Sequence, residues 1–287
     1  MRDLLKSALS DHSSNVHSQF GEDGIIREVL RLLPSCDQWC VEFGAWDGRY
    51  LSNTCRLIEE DHYSAVLIEG DPKKYSELEA NFATNPGVIP FCRYVGFEND
   101  RLDDILSETA VPRDFDFLSI DIDGCDYHLW DSLKKYEPKV VCIEFNPTIP
   151  NGLEFVQARD FSVAQGASLD SLVALGRTKG YELVSTTRNN GIFVRSEFYP
   201  LFGIPDNSVK LLREDTTWVS QVFSSYTGEL FIVGANLNPW NGIQLDRMVR
   251  QLPKPLQEFP NGMGFLRRKM LGFWKKIFRL EHPRPFL

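Results

Sequence analysis

The stretch Val41-Glu42-Phe43-Gly44-Ala45-Trp46-Asp47-Gly48-Arg49-Tyr50 joins an apolar run tipped by an acid to a turn with two glycines four residues apart. A strand that delivers Glu42 and Gly44 to one edge sets a carboxylate beside backbone without a Cβ, where a ligand can come close. A second acid, Glu69, ends the run Ser64-Ala65-Val66-Leu67-Ile68, and its two oxygens can accept both hydroxyls of a ribose. Further on, Asp121, Asp123, Asp126 and His128 follow one apolar run, and Glu144 and Asn146 close the next. Such a group could take a proton from a hydroxyl through Asp121, Glu144 or His128. It could instead hold Mg²⁺ through Asp121, Asp123, Glu144 and Asn146. The ordinary reading of each residue stands beside these: most acids at strand ends cap turns, His128 in a helix could be packed, and Asn53 could cap one.

The glycine turn narrows the ligand. A dinucleotide site would read GxGxxG running into a helix whose N-terminus faces a pyrophosphate, and a P-loop would end in GK[ST]; neither pattern is present. Glu42 and Asp47 would repel a phosphate. A ligand with an ammonium and a sulfonium but no phosphate would gain from the same carboxylates, and S-adenosylmethionine is such a ligand.

These residues need a scaffold, and the hydrophobic periodicity provides one. It predicts helices at 22–33, 52–60, 72–83, 101–107, 126–136 and 168–179, alternating with strands at 39–43, 64–69, 88–94, 115–121, 139–145 and 181–186. Alternation of this kind implies a mainly parallel sheet with helices on both faces. Gly191 to Arg195, after the turn signal Arg188-Asn189-Asn190-Gly191, reads as the return arm of a hairpin, so the sheet should end in an antiparallel strand. After residue 195 the periodicity weakens, and only Gly228-Glu229-Leu230-Phe231-Ile232-Val233-Gly234-Ala235-Asn236 reads as a strand. At 264–280, Leu266, Met270, Phe273, Trp274, Ile277 and Phe278 fall on one helical face, with Arg267, Arg268, Lys269, Lys275, Lys276 and Arg279 on the rest. That basic amphipathic tail could lie on an anionic membrane, dock on the protein or mediate a homo-oligomer.

Size and charge set the outer bounds. The 287 residues and 43% hydrophobic content suffice for one sizeable core with additions, and a net charge of −9 argues against nucleic acid as a partner. The six cysteines form no CxxC pair and read as reduced core thiols. His12, His17 and His62 stand alone and read as having no chemical role. The N-terminal stretch lacks a signal-peptide pattern, so a cytoplasmic location is expected, with membrane association left open by the tail.

Taken together, Ser18-Gln19-Phe20-Gly21-Glu22-Asp23-Gly24-Ile25-Ile26, the Glu42 stretch through Thr54, Val66-Leu67-Ile68-Glu69-Gly70-Asp71-Pro72, residues 101–106 and residues 116–130 resemble the FkbM-type class I S-adenosylmethionine-dependent methyltransferases over about residues 18–195. The resemblance implies a Rossmann-like α/β fold of seven strands with the last antiparallel. It implies Glu42, Gly44 and Gly48 at the methionine part of the cofactor, Glu69 at the ribose, and Gly96 and Phe97 at the adenine, with Ala45 and Gly70 also binding the cofactor. Gln19, Asn53 and Asp121 would also lie near the cofactor. The acceptor, a sugar or other hydroxylated small molecule, would be framed by the loop Asn146 to Asn151 with Thr148, and by Trp46 and Tyr50. The family usually has KIDVEGxE where this chain has Ser119-Ile120-Asp121-Ile122-Asp123-Gly124-Cys125-Asp126, so the catalytic carry-over is weakest there. Two other readings compete. One is a non-catalytic S-adenosylmethionine-binding protein. The other is a haloacid-dehalogenase-type phosphotransferase using Asp121 and Asp123, which Cys125 and the three preceding strands disfavour. The expected division is a methyltransferase domain over 1–195 (with 1–37 an N-terminal helical part), an extension or cap over 196–260, and the tail over 261–287.

Overall fold

Seven strands pair into one sheet in this structure, a computed structural model that describes residues 9–226, 230–235 and 264–277. They are β1 (Trp39–Phe43), β2 (Ser64–Glu69), β3 (Val88–Cys92), β4 (Phe117–Ile120), β5 (Val140–Glu144), β6 (Tyr181–Thr186) and β7 (Asn190–Arg195), in the order β3-β2-β1-β4-β5-β7-β6. The first five run parallel, and β7 is antiparallel to both β5 and β6. This is a Rossmann-like α/β sheet of seven strands with the last strand in the chain antiparallel, as the resemblance implied. The antiparallel strand is last in the chain but not at the sheet's edge, because β7 inserts between β5 and β6 and leaves β6 outermost. The turn also sits earlier than the Asn-Gly signal suggests: Thr187 N donates to Asn190 O at 2.9 Å, and Asn190 and Gly191 already belong to β7.

The strands are apolar throughout because both faces are buried. Val41, Phe43, Val66, Ile68, Leu118, Ile120, Val141 and Ile143 face one core with Leu102, Ile105, Leu129, Trp130 and Leu172. Those last five come from α4 (Leu102–Leu106), α5 (Asp126–Ser132) and α6 (Leu169–Thr178). The alternate residues Cys40, Ala65, Leu67, Phe117, Val140 and Cys142 face the other core with Ile25, Val29, Leu57 and Leu78. These belong to α1 (Glu22–Leu32), α2 (Cys55–Glu59) and α3 (Pro72–Phe82). The period-two split of each strand between two cores is what a sheet covered on both faces requires. Cys40, Cys55, Cys125 and Cys142 are buried free thiols, as expected, whereas Cys36 and Cys92 are exposed and are not core residues.

Buried charges pin the amino-terminal edge of the sheet. Lys139 Nζ donates to Asp116 Oδ1 at 2.6 Å and to Asp37 Oδ2 at 3.1 Å, while the backbone N–H groups of Asp37 and Gln38 donate to Asp116. Asp103 stops α5 short of the predicted residue 136, because its carboxylate takes the N–H groups of Lys134 and Lys135 at 3.0 and 2.8 Å once the chain turns out of the helix.

The first unit extends through Thr216 and the second begins at Thr217. Residues 196–216 therefore belong with the sheet, and α7 (Val209–Leu212) contributes Val209 to its core. In the second unit, β8 (Ser220–Ser224) pairs antiparallel with β9 (Leu230–Gly234), and Phe223 stacks on Phe231 at 5.2 Å. β9 falls within the predicted strand; its partner β8, Ser-Gln-Val-Phe-Ser, mixes polar and apolar residues without a clear alternation. The tail forms α8 (Phe265–Ile277). The extension between 236 and 263, and Phe278 and Arg279 of the tail, lie outside the described residues.

Candidate active site

Strand register places the acids. Phe43 stands level with Ile68 on one side and Ile120 on the other, and Ile120 with Ile143. The next residues, Gly44, Glu69, Asp121 and Glu144, therefore line up along the carboxyl edge, where strand order reverses between β1 and β4. Open α/β sheets bind ligands at this edge. A cavity of about 520 Å³ opens there, lined by Phe43, Gly44, Trp46, Ile68, Glu69, Gly70, Arg93, Tyr94, Val95, Gly96, Asp121, Ile122, Asp123 and Phe161.

Glu42 does not line the cavity. It is buried below the cavity, and its carboxylate accepts Ser52 Oγ and Thr54 Oγ1, both at 2.6 Å, and Asn53 N at 2.9 Å. Burial raises its pKa, against the opposing pull of those three bonds. Asn53 neither caps a helix nor reaches the cavity: its Nδ2 donates to Ser119 Oγ at 3.1 Å, and α2 starts two residues later. The glycines also answer to protein neighbours. Gly44 has φ +76°, and a Cβ there would run into the Asp121 carbonyl oxygen of the adjacent strand. Gly48, also at φ +76°, sits against Phe82 Cε2, 2.6 Å from where its Cβ would be, and does not line the cavity. Ala45 is buried in the core.

Glu69 is held rigidly at the cavity wall, with Oε2 accepting Trp46 N at 2.8 Å and Oε1 accepting Asp71 N at 2.7 Å. Each oxygen keeps a second lone pair for a ligand hydroxyl. Asp71 is the N-cap of α3, accepting Lys73 N and Lys74 N. Trp46 lies in the wall with Lys74 Nζ 4.6 Å from its ring centre, while Tyr50 points to solvent and is not part of the lining. Gly96 lines the cavity, and Phe97 stacks on Phe161 at 4.4 Å with Arg159 over its other side. Gln19 is elsewhere, in a second cavity of about 480 Å³ whose lining also includes Phe20, Thr187, Arg188 and Asp215.

The acids at the ends of β4 and β5 form a cluster. Asp121, Asp123 and Glu144 each bring one oxygen within 4.8 Å of the others. Burial first, and then the charges of Asp126 and Asp123, raise the Asp121 pKa well above the carboxylate range. Glu144 is raised likewise by burial and by Asp121, with Asn189 Nδ2 at 3.1 Å pulling the other way. Asp126 supports the turn, taking Ile122 N and Gly124 N at 2.9 Å each, and burial pushes its pKa up to about 6. His128 is turned away from the cluster, with Nε2 2.8 Å from Gln157 O and its ring edge-on to Tyr127 and Phe97. Facing a carbonyl, Nε2 carries the hydrogen and donates it. Asn146 likewise has no free ligand atom: Oδ1 accepts Thr148 N at 2.9 Å and Thr148 Oγ1 at 2.6 Å, and Nδ2 donates to Gln165 O. Of the four residues expected at a metal, only the three carboxylates converge.

Residues that the sequence did not single out complete the site. Tyr94 lies over Gly70, and Phe161 arrives on the loop that Gln157 ties down through Gln165 N and Gly166 N. Arg213, 2% exposed, donates to Pro147 O at 2.6 Å, Ile149 O at 2.7 Å and Asn151 Oδ1 at 3.0 Å, and lies 4.8 Å over the Phe145 ring, so it clamps the loop beyond Asn146. Tyr94, two residues before Gly96, was within reach of sequence reasoning. Phe161 and Arg213 are brought in from 40 to 90 residues away by tertiary packing, and no local signal marks them.

No protein-family model matches the chain, and no curated protein matches it. Among solved structures, it is similar to the N-terminal domain of EvdMO1 with S-adenosylhomocysteine bound, at 14% identity and TM-score 0.39, over 60% of this chain and 79% of that one. It is similar to the CurJ carbon methyltransferase at 9% identity and TM-score 0.41, over 60% and 52% of the two chains. It is also similar to the glycopeptide N-methyltransferase MtfA complexed with sinefungin, at 11% identity and TM-score 0.37, over 67% and 94%.

Proposed function

We propose that this chain is an S-adenosylmethionine-dependent methyltransferase acting on an oxygen of a sugar or another hydroxylated small molecule. The observation that carries this reading is the occupied start of α2. The place where a dinucleotide fold offers N–H groups to a pyrophosphate is taken by the buried carboxylate of Glu42, and the cavity above it presents Glu69, Asp121 and Asp123. The cation in the wall, Arg93, is already bound by Glu108 at 2.6 and 3.0 Å. Such a cavity disfavours phosphates and favours a cationic, phosphate-free nucleoside.

The residues fit that ligand. Glu69 would accept the ribose hydroxyls, Gly96 with the Phe161 ring, which Phe97 backs, would flank the base, and Asp121 would face the positive end. When bound, the cofactor supplies an electrophilic methyl carbon whose bond to sulfur breaks, leaving the electron pair on sulfur, as the acceptor oxygen attacks in line. Burial and neighbouring carboxylates raise the pKa of both Asp121 and Glu144, so an ionised carboxylate here is a stronger base than an ordinary one and takes the hydroxyl proton. Arg213 holds the loop 147–151 that frames the acceptor.

The test is incubation of the full chain with methyl-labelled cofactor and a panel of hydroxylated acceptors. Label transferred to oxygen supports the proposal. Cofactor binding with no transfer to any acceptor would make the chain a non-catalytic binder. Turnover lost on chelation and restored by Mg²⁺ would assign the three carboxylates to a metal rather than to a base.

A further inference from the structure

Helix α8 spans 13 residues, Phe265–Ile277, or about 20 Å. Leu266, Met270 and Phe273 recur at spacings of four and three, so they share one face, and they are 76%, 57% and 68% exposed. Phe265 beside them is 74% exposed, and Lys269 Nζ lies 4.8 Å from the centre of its ring. Four large apolar side chains on one short helix mark a surface that meets something other than water.

Charge says what that something is. Residues 264–279 hold six basic side chains and no acid, in a chain whose net charge is −9. A helix of this length with Gly272 inside it is marginal alone in water, so the face that buries Leu266, Met270 and Phe273 also has to supply much of the helix's stability. A spanning helix needs about 20 apolar residues, so this one can only lie in a surface plane. Docking on a second copy would bury the apolar stripe without requiring a run of six basic residues within 264–279. An anionic leaflet engages both.

We propose that α8 is a membrane-surface helix: it lies in the plane of an anionic phospholipid surface, with Leu266, Met270 and Phe273 at the acyl boundary and the basic side chains among the headgroups. Any acceptor that the chain meets in this state is one presented at a membrane.

The test is co-flotation of the full chain with vesicles of phosphatidylcholine alone and of phosphatidylcholine mixed with phosphatidylserine. The chain should float with the mixed vesicles only, and high salt should release it. Arg268→Gln with Lys269→Gln should weaken partitioning about thirtyfold, as two basic residues each worth about fivefold would. Leu266→Asp with Phe273→Asp should abolish it. Because these side chains are exposed, the thermal midpoint of both double variants should match that of the parent, which separates lost binding from lost folding. Flotation that is absent, equal on both vesicle types or unchanged in the variants overturns the proposal. So does a dimer in light scattering that Leu266→Asp with Phe273→Asp dissolves while vesicles go unbound, since that would assign the face to a second copy.

Discussion

Replacing Asp121 with Asn should stabilise the ligand-free protein. Asp121 and Glu144 are half-buried, and their nearest oxygens lie within 4.8 Å of each other and of Asp123. At that separation and an effective dielectric of about 20, each ionised pair costs about 3.5 kcal/mol. Proton uptake limits the cost, and exposed Asp123 is further screened by water, so the net relief from Asp121→Asn is about 1–2 kcal/mol near neutral pH. For a unit of this size that is about 2–8 °C in thermal midpoint. The sign with pH follows from the direction of the shifts. Folding raises the Asp121 and Glu144 pKa values, so between the ordinary carboxylate range and the raised values the folded protein holds more protons than the unfolded chain. Parent stability should therefore be greatest at the acid end of that window and fall as pH rises through it, and Asp121→Asn should flatten the fall. Scanning calorimetry across pH on both proteins reads slope and midpoint together. An Asp121→Asn midpoint below the parent's at neutral pH would refute the argument that like charges are held together at this edge.

Three further outcomes follow from contacts elsewhere. Gly44→Ala puts a Cβ into the Asp121 carbonyl at φ +76° and should lower stability by about 2–4 kcal/mol in urea unfolding. Lys139→Met leaves Asp116, which is fully buried, without its cation and should cost about 3–5 kcal/mol, measured by the same titration. Arg213→Met releases the loop 147–151 from three hydrogen bonds; limited proteolysis should cut there at least tenfold faster, with a global loss of about 2 kcal/mol.

The sheet was legible because each strand is buried on both faces and each connection carries a helix. The runs Val41 to Phe43, Ala65 to Glu69 and Val140 to Glu144 could hardly be anything else, and Asp71 before Pro72 marks a helix start by chemistry alone. The acids at the carboxyl edge could be found for the same reason, since a strand's last residue is fixed once its apolar run is. What could not be read was which way a side chain turns after that point. Glu42 alternates into the core with Cys40 and meets Ser52 and Thr54, Asn146 folds back onto Thr148, and His128 finds the Gln157 carbonyl. Each of these choices depends on a partner between two and 29 residues distant, which spacing along the chain does not specify. Arg213 and Phe161 depend on loops without periodicity and left no trace in the pattern.

The carboxyl-edge cavity is expected to take a phosphate-free nucleoside through Glu69. Isothermal titration of the full chain with S-adenosylhomocysteine, NAD and ATP, repeated on Glu69→Ala, tests it most directly. Saturable binding of S-adenosylhomocysteine alone is expected, weakened at least tenfold in Glu69→Ala. Binding of NAD or ATP that Glu69→Ala diminishes, with S-adenosylhomocysteine giving no heat, would contradict it.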